Sequence, residues 1–253
     1  MQPLPITDRS HLLVLTGAGV SAESGIPTFR DAGGLWEGRD VREVATWDGF
    51  AADPLRVWRF YSERRQAMAD VAPNAAHRAL AALEARLGDR FLLATQNIDG
   101  LHQAAGSQRV VELHGNLMRS RCSACDRAPF DDRQAYRAGV APLCGRCRAA
   151  GKDAVLRPDV VWFGELLPPG ALARVEAFGR AAGRELMFLA VGTSGLVEPA
   201  ASLVDAARQV GGASWLVNAE PPANAARFDH VALGAARARS IGFMTGRSAR
   251  RRL

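Results

Sequence analysis

Lysine is almost missing from this sequence. Of its 32 basic residues Lys152 is the one lysine, and the rest are arginines. Aromatic residues are scarce as well, at 7% of the chain. Nucleic-acid binding would need a basic stripe interleaved with aromatics, so the net charge of +6 is not read as such a surface, and part of that excess sits in residues 247–252, a solvated end. No run approaches the roughly 20 apolar residues that span a bilayer. The N-terminal MQPLPITDRSHLLVL has no basic segment followed by a free apolar run and a cleavage site. Its apolar stretch leads straight into TGAG and reads as a strand, and a cytoplasmic protein with no membrane partner is expected. Nothing in the sequence requires more than a monomer.

What is present is an ordinary globular balance. The chain has 253 residues, 48% hydrophobic and 23% charged, enough for one sizeable core or a large domain carrying a small module. Apolar runs at 12–16, 91–95, 110–113, 155–163, 186–191 and 214–217 read as strands. Helices are expected at 53–68, with Pro54 in the first turn, at 74–87 between Asn74 and Gly88, and at 169–182 and 199–210. Strand–helix alternation implies parallel βαβ units. Residues 119–154, rich in Arg, Cys, Gly and Pro, lose all periodicity and read as an insertion.

Gly17-Ala18-Gly19-Val20-Ser21-Ala22 fits G-x-G-x-x-G/A directly after the first strand. The first glycine allows a tight turn and the second a close backbone approach to a pyrophosphate. A helix N-terminus would then offer free N–H groups to the anion. A plain structural turn would also account for these glycines. No second strand ends in a ribose-binding acid about 20 residues on. Asn218-Ala219-Glu220, at the C-terminal end of a later strand, is the better candidate, since ligands of open α/β sheets bind there.

The cysteines are confined to Cys122-x-x-Cys125 and Cys144-x-x-Cys147, 18 residues apart. This is the spacing of a structural zinc site. Four thiolates complete a tetrahedron and leave no position for water, so the metal would support folding and not chemistry. Disulfides are the alternative, but nothing suggests secretion.

Thr95-Gln96-Asn97-Ile98-Asp99 closes one strand with polar side chains, and Leu113-His114-Gly115 ends another. Among the five histidines His114 is the best general-base candidate, because a near-neutral pKa suits that work. A hydrogen-bonded structural histidine is the bland reading, and it is kept for His77 and His102.

Together these segments resemble the sirtuins, NAD-dependent protein-lysine deacylases. The matching pieces run in order: residues 17–30, Thr95 through His102, Leu113-His114-Gly115, the two cysteine pairs, Leu156-Arg157-Pro158-Asp159-Val160-Val161-Trp162-Phe163-Gly164-Glu165, and Val191-Gly192-Thr193-Ser194. The resemblance implies an α/β fold: a Rossmann-like, NAD-binding domain (1–36, 77–118 and 155–253) and a smaller one made of a helical module (37–76) and a zinc module (119–154). It implies that NAD is consumed as a co-substrate, with release of nicotinamide and O-acyl-ADP-ribose. The partners would be acyl-lysine proteins or peptides. Mono-ADP-ribosyl transfer, or non-catalytic reading of acyl-lysine or nucleic acid by a zinc module, are the alternatives.

The resemblance also assigns residues. His114 with Asn97 and Asp99 would form the catalytic set. Gly17, Ala18, Gly19, Ala22, Glu23, Thr28, Phe29, Arg30, Trp36, Gln96, Ile98, Gly192, Thr193, Ser194, Asn218, Ala219, Glu220 and Ala236 would meet NAD. Val161, Phe163, Gly164, Glu165 and Leu196 would flank an extended substrate peptide, pairing with it as added strands. Tyr61 and Arg64, three apart on one helix, resemble the Tyr-x-x-Arg signature of the branch that removes succinyl and malonyl groups, with the small Ala45 leaving room for a longer acyl chain. A solvated helix face is the alternative. Residues 235–253 depart from the family pattern, lacking the Leu-Pro signal of its closing helix.

Overall fold

The computed structural model describes residues 4–28, 35–36 and 38–234. Among these, β1 (His11–Thr16), β4 (Phe91–Thr95), β5 (Val110–Glu112), β9 (Leu186–Val191), β10 (Ala213–Asn218) and β11 (His230–Leu233) form a parallel sheet in the order β11-β10-β9-β1-β4-β5. Both faces are covered, which is why these strands read as continuous apolar runs. On one face α4 (Ala75–Leu87) lays Leu80, Leu83 and Leu87 over Leu12, Val14, Leu93 and Leu189. On the other, α7 (Ala171–Ala182) and α8 (Leu203–Gln209) cover Leu13, Leu15, Phe188 and Leu216. Asn74 starts α4 by accepting from the Ala76 and His77 amides at 2.9 and 3.3 Å, while the His77 ring accepts from the Asn74 amide.

Strand order reverses at β1, whose neighbours β9 and β4 lead away in opposite directions. Ligands of open α/β sheets sit at such a point. There the chain is too tight for side chains: a Cβ on Gly17 would lie 2.7 Å from the Gly192 carbonyl oxygen, and one on Gly19 2.7 Å from the Gly192 Cα.

Two expectations change. The glycine loop opens no α-helix; it continues as two 3₁₀ turns, Ala18–Val20 and Ala22–Ser24. Segment 155–163 does not join the parallel sheet as a strand assigned to the Rossmann-like domain would. Only Leu156–Val160 is a strand (β8), and it pairs antiparallel with β6 (Gly115–Cys122), which also pairs with β7 (Phe130–Asp131). β8 reads Leu-Arg-Pro-Asp-Val and lies at the edge of its sheet, where a strand proline is tolerated.

That second sheet belongs to a separate apolar cluster. It joins β6 and β8 to α1 (Val41–Val44), α2 (Trp47–Ala52) and α3 (Pro54–Ala67) through Phe50, Val57, Trp58, Tyr61, Leu117 and Trp162. Immediately before α1 in the chain lies a short ribbon, β2 (Leu35–Trp36) paired antiparallel with β3 (Arg39–Asp40). Arg65 on α3 fastens this unit: its guanidinium donates to the carbonyls of Leu117, Arg119 and Gln134 and to Ser120, and pairs with Asp132 at 3.2 Å. With every donor matched, the buried charge is compensated.

The four cysteines meet between the end of β6 and α6 (Gly145–Ala149). All four Sγ atoms lie within 4.8 Å, with Cys122–Cys147 at 3.7 Å and Cys125–Cys144 at 3.9 Å. These separations are far beyond a covalent S–S bond of about 2.05 Å. They match the edge of a tetrahedron with Zn–S bonds of about 2.3 Å, which is about 3.8 Å. The residues therefore fit one structural zinc. We expect metal analysis of the purified protein to find one zinc per chain, and Cys122→Ser to lower the melting temperature and soluble yield. A metal-free chain equally stable in a chelator would contradict this.

Candidate functional site

The C-terminal ends of β1, β4, β9 and β10, with the segment after β5, carry the polar side chains of the cleft. Gly17 and Gly19 donate to the carbonyls of Val191 and Gly192 at 3.0 and 2.9 Å, locking the glycine loop against β9. Gln96 Nε2 donates to Thr193 Oγ1 at 3.0 Å, and Asn218 Nδ2 donates to the Thr193 carbonyl at 2.9 Å. The ends of β4, β9 and β10 are thus tied side to side.

Beneath them lies a buried network centred on Ser21. Its hydroxyl donates to Asp99 Oδ2 at 2.7 Å and accepts from Asn97 Nδ2 at 3.1 Å. His77 Nδ1 is occupied by the Asn74 amide, so its Nε2 carries the proton and faces Ser21 at 3.4 Å. His102 packs edge-on to His77, with centroids 4.8 Å apart, and its Nε2 lies 2.9 Å from Thr16 Oγ1. Thr16 donates on to Thr95 Oγ1, which also accepts the Asn97 amide. Burial holds the Asp99 carboxyl above its ordinary value, although Leu101 N–H, Ser21 and Asn97 stabilise its charge.

His114 follows β5. Its Nδ1–H donates to the Gln96 carbonyl at 3.0 Å, which leaves Nε2 as the basic nitrogen. Burial lowers its pKa, partly offset by the Gln96 bond, so the ring stays neutral at neutral pH. Gly115 turns the chain with φ +80°, and any Cβ there would strike the Asp159 carbonyl. Glycine is thus required immediately after the histidine.

The arrangement is that of a known family. Residues 17–199 match the Sir2 family. The NAD-dependent protein deacylase of Thermus thermophilus is 49% identical over 219 residues, covering 85% of this chain and 82% of the relative. Among solved structures, a Sir2 homologue–NAD complex superposes with TM-score 0.83 at 38% identity, covering 97% of this chain and 95% of that one. A Sir2–p53 peptide–NAD+ complex matches with TM-score 0.77 at 31% identity, covering 94% of each chain. The chain belongs to the Sir2 family.

Within this Sir2 fold most expected site residues converge on one cleft, with differences. Ala18, Gln96, Asn97, Asp99 and Asn218 are half-buried there; Ser194, Ala219 and Glu220 are exposed beside it. Ala22 and Glu23 sit exposed on the second 3₁₀ turn, followed by half-buried Thr28. Ile98 packs against the small unit's apolar cluster. Trp36 turns to α3, edge-on to Phe60 and Tyr61 at 5.0 and 5.9 Å. Phe29, Arg30 and Ala236 lie outside the described residues.

On the substrate side, the expected strand ends at Val160. The N–H groups of Val161 and Phe163 already donate to the carbonyls of His114 and Ala45, and that of Glu165 to Trp162. These three donors are taken within the chain, so a peptide strand added along this segment would pair with its other backbone groups. The Glu165 carboxylate is also used internally, accepting from Arg157 and the Trp162 amide. Phe163 and Leu196 are exposed at 51% and 71%, beside exposed Gly164.

Tyr61 and Arg64 differ from a solvated helix face. Tyr61 is fully buried, and Ala45 is 3% exposed in the same cluster. The Arg64 guanidinium lies 3.2 Å over the Phe60 ring and donates to the Phe60 carbonyl. The sequence carries no sign of Ser21 as the hub of the network, whereas His77 is the hydrogen-bonded structural histidine expected, capping α4 and facing Ser21. The Asn74-x-x-His77 capping pair was the available signal.

Both buried histidines are neutral in the fold: burial brings His77 to about 4, with Arg78 adding to it, and His102 to about 3, with His77 adding to it. Unfolded, each takes up a proton near pH 6.5, so below that pH the unfolded chain binds more protons than the folded one. Stability is therefore present above about pH 6.5 and lost as pH falls toward 4. Urea denaturation across this window should show the decline. His102→Gln, which keeps a donor for Thr16, should flatten it, and an unchanged slope would refute the assignment.

Proposed function

We infer that this protein is an NAD-dependent protein-lysine deacylase, and that it favours acidic acyl groups such as succinyl and malonyl. The observation that carries the first statement is His114, held through Nδ1 by the carbonyl of Gln96, the residue before Asn97, which leaves Nε2 basic. NAD supplies an electrophilic ribose carbon and the hydroxyl that receives the acyl group. The chain's own work is to bind, orient and move a proton. Gly17–Gly19, Thr193 and Ser194 hold the phosphates; Asn218 and Glu220 hold the adenosine ribose. Gln96, Asn97 and Asp99 orient the nicotinamide ribose, and the Ser21 network fixes the last two. His114 Nε2 would serve as the base that takes the proton of a ribose hydroxyl. Phe163, Gly164 and Leu196 flank the substrate peptide.

The acyl preference rests on Tyr61 and Arg64. Arg64 brings a permanent cation to the small unit, and the small Ala45 shares an apolar cluster with Tyr61. Burial pushes the Tyr61 phenol well above its ordinary pKa, so it stays a protonated donor. A distal acyl carboxylate would receive both groups.

Two outcomes follow. His114→Ala should cost about 10²–10⁴-fold in NAD-dependent deacylation with the fold retained; near wild-type turnover would overturn the base assignment. For the acyl group, kcat/KM is compared on succinyl and acetyl versions of one peptide. A charged hydrogen bond is worth about 1.5–3 kcal/mol, so Arg64→Met should lower desuccinylation about 10–150-fold and deacetylation much less. Equal losses, or no loss, would show that Arg64 does not read acyl charge.

A further inference from the structure

The Tyr61 hydroxyl is buried with its oxygen engaged and its proton uncommitted. Trp162 Nε1 lies 3.0 Å from Tyr61 Oη, and both residues are buried, at 2% and 0% exposure. An indole nitrogen only donates, so the phenol oxygen is the acceptor and must direct its own proton elsewhere. A phenolic O–H lies in the ring plane in one of two positions. With the indole N–H on one side, the proton is turned to the other. Among the described residues no acceptor takes that proton, although buried hydroxyls are nearly always matched.

We propose that Trp162 is a specificity-determining positioning residue: its indole N–H holds the Tyr61 hydroxyl rotor so that the proton points at the carboxylate of an acidic acyl chain. This rests on the reading of Tyr61 and Arg64 as the acyl-carboxylate pair. The rest of what Trp162 does requires only an aromatic ring. Phe50 packs against it at 5.2 Å between centroids, and the Arg157 guanidinium lies 3.5 Å over it while paired with Glu165. Phenylalanine would serve both contacts. The N–H is what tryptophan adds, and its partner among the described residues is Tyr61. The two residues come from α3 and from the segment after β8, so the bond also joins the elements that enclose Ala45.

The test is a double-mutant cycle read as the ratio of kcat/KM on N-succinyl-lysine to that on N-acetyl-lysine in one peptide. Trp162→Phe should lower the ratio about 3–10-fold, the scale of one neutral hydrogen bond, chiefly through the KM for the succinyl peptide. Tyr61→Phe should lower it as well. In the Tyr61→Phe background Trp162→Phe should leave the ratio unchanged, because the hydroxyl it orients is gone. Loss of ring volume alone would depress both acyl activities together and hold the ratio constant. A constant ratio in Trp162→Phe, or an equal further fall in the double variant, would overturn the proposal. Arg64→Met separates the two levels. If it lowers the ratio while Trp162→Phe does not, only the role of Trp162 fails. If it leaves the ratio unchanged, the acyl-carboxylate reading fails, and this inference with it.

Discussion

The hydroxyl of Ser21 is where the glycine loop, the end of β4 and the start of α4 meet. One oxygen donates to Asp99, accepts from Asn97 and faces the Nε2 proton of His77. A buried serine has one proton and two lone pairs, and here all are matched. The cleft depends on this satisfaction. Asp99 stays buried as a usable carboxyl because Ser21, Asn97 and the Leu101 amide offset its desolvation. The two histidines stay neutral because burial disfavours their charged forms, with Arg78 adding to this at His77. Asn97 and Asp99 are thereby held in fixed orientations near the switch point at β1, and His114 is tied to the same segment through the Gln96 carbonyl. Their orientation is set by hydrogen bonds already made before any substrate arrives, which is what preorganisation means physically.

The second unit closes the cleft by different means. Its segment 119–154 has little apolar sequence of its own. It is held by four thiolates in tetrahedral spacing and by Arg65, whose guanidinium bonds to the backbone of β6 and of Gln134. With that scaffold fixed, α3 presents Tyr61 against Trp162, and the Ala45 carbonyl is pinned by the Phe163 amide. The same hydrogen bonds that take up N–H groups of residues 161–165 make this wall of the cleft rigid.

Much of this was legible in the sequence because the signals are local. Asn74 and Gly88 bracket α4, Asp53-Pro54 starts α3, and the apolar runs at β1, β4 and β9 lie within a residue of their observed bounds. Cysteine spacing alone gives the metal set. What escaped is non-local or conformationally degenerate. Segment 156–160 carries Arg157 and Asp159, whose ion-pair partners Glu165 and Arg119 are set by the fold, so which sheet it joins cannot be read locally. A glycine-rich turn has no period to separate a 3₁₀ segment from an α-helix. Glu165 reads as a peptide-side residue until Arg157, eight positions earlier, is seen to claim its carboxylate. Tyr61 and Trp162 are 101 residues apart, and no local pattern links an indole N–H to a phenol at that distance.

The central claim is that the acyl group leaves lysine for the ribose of NAD, and product analysis tests it most directly. The protein is incubated with NAD and an N-succinyl-lysine peptide, and all products are measured by mass spectrometry. The account predicts nicotinamide, free-lysine peptide and O-succinyl-ADP-ribose in equal amounts. ADP-ribose attached to protein with the acyl group retained, or free-lysine peptide formed with NAD left intact, would contradict it.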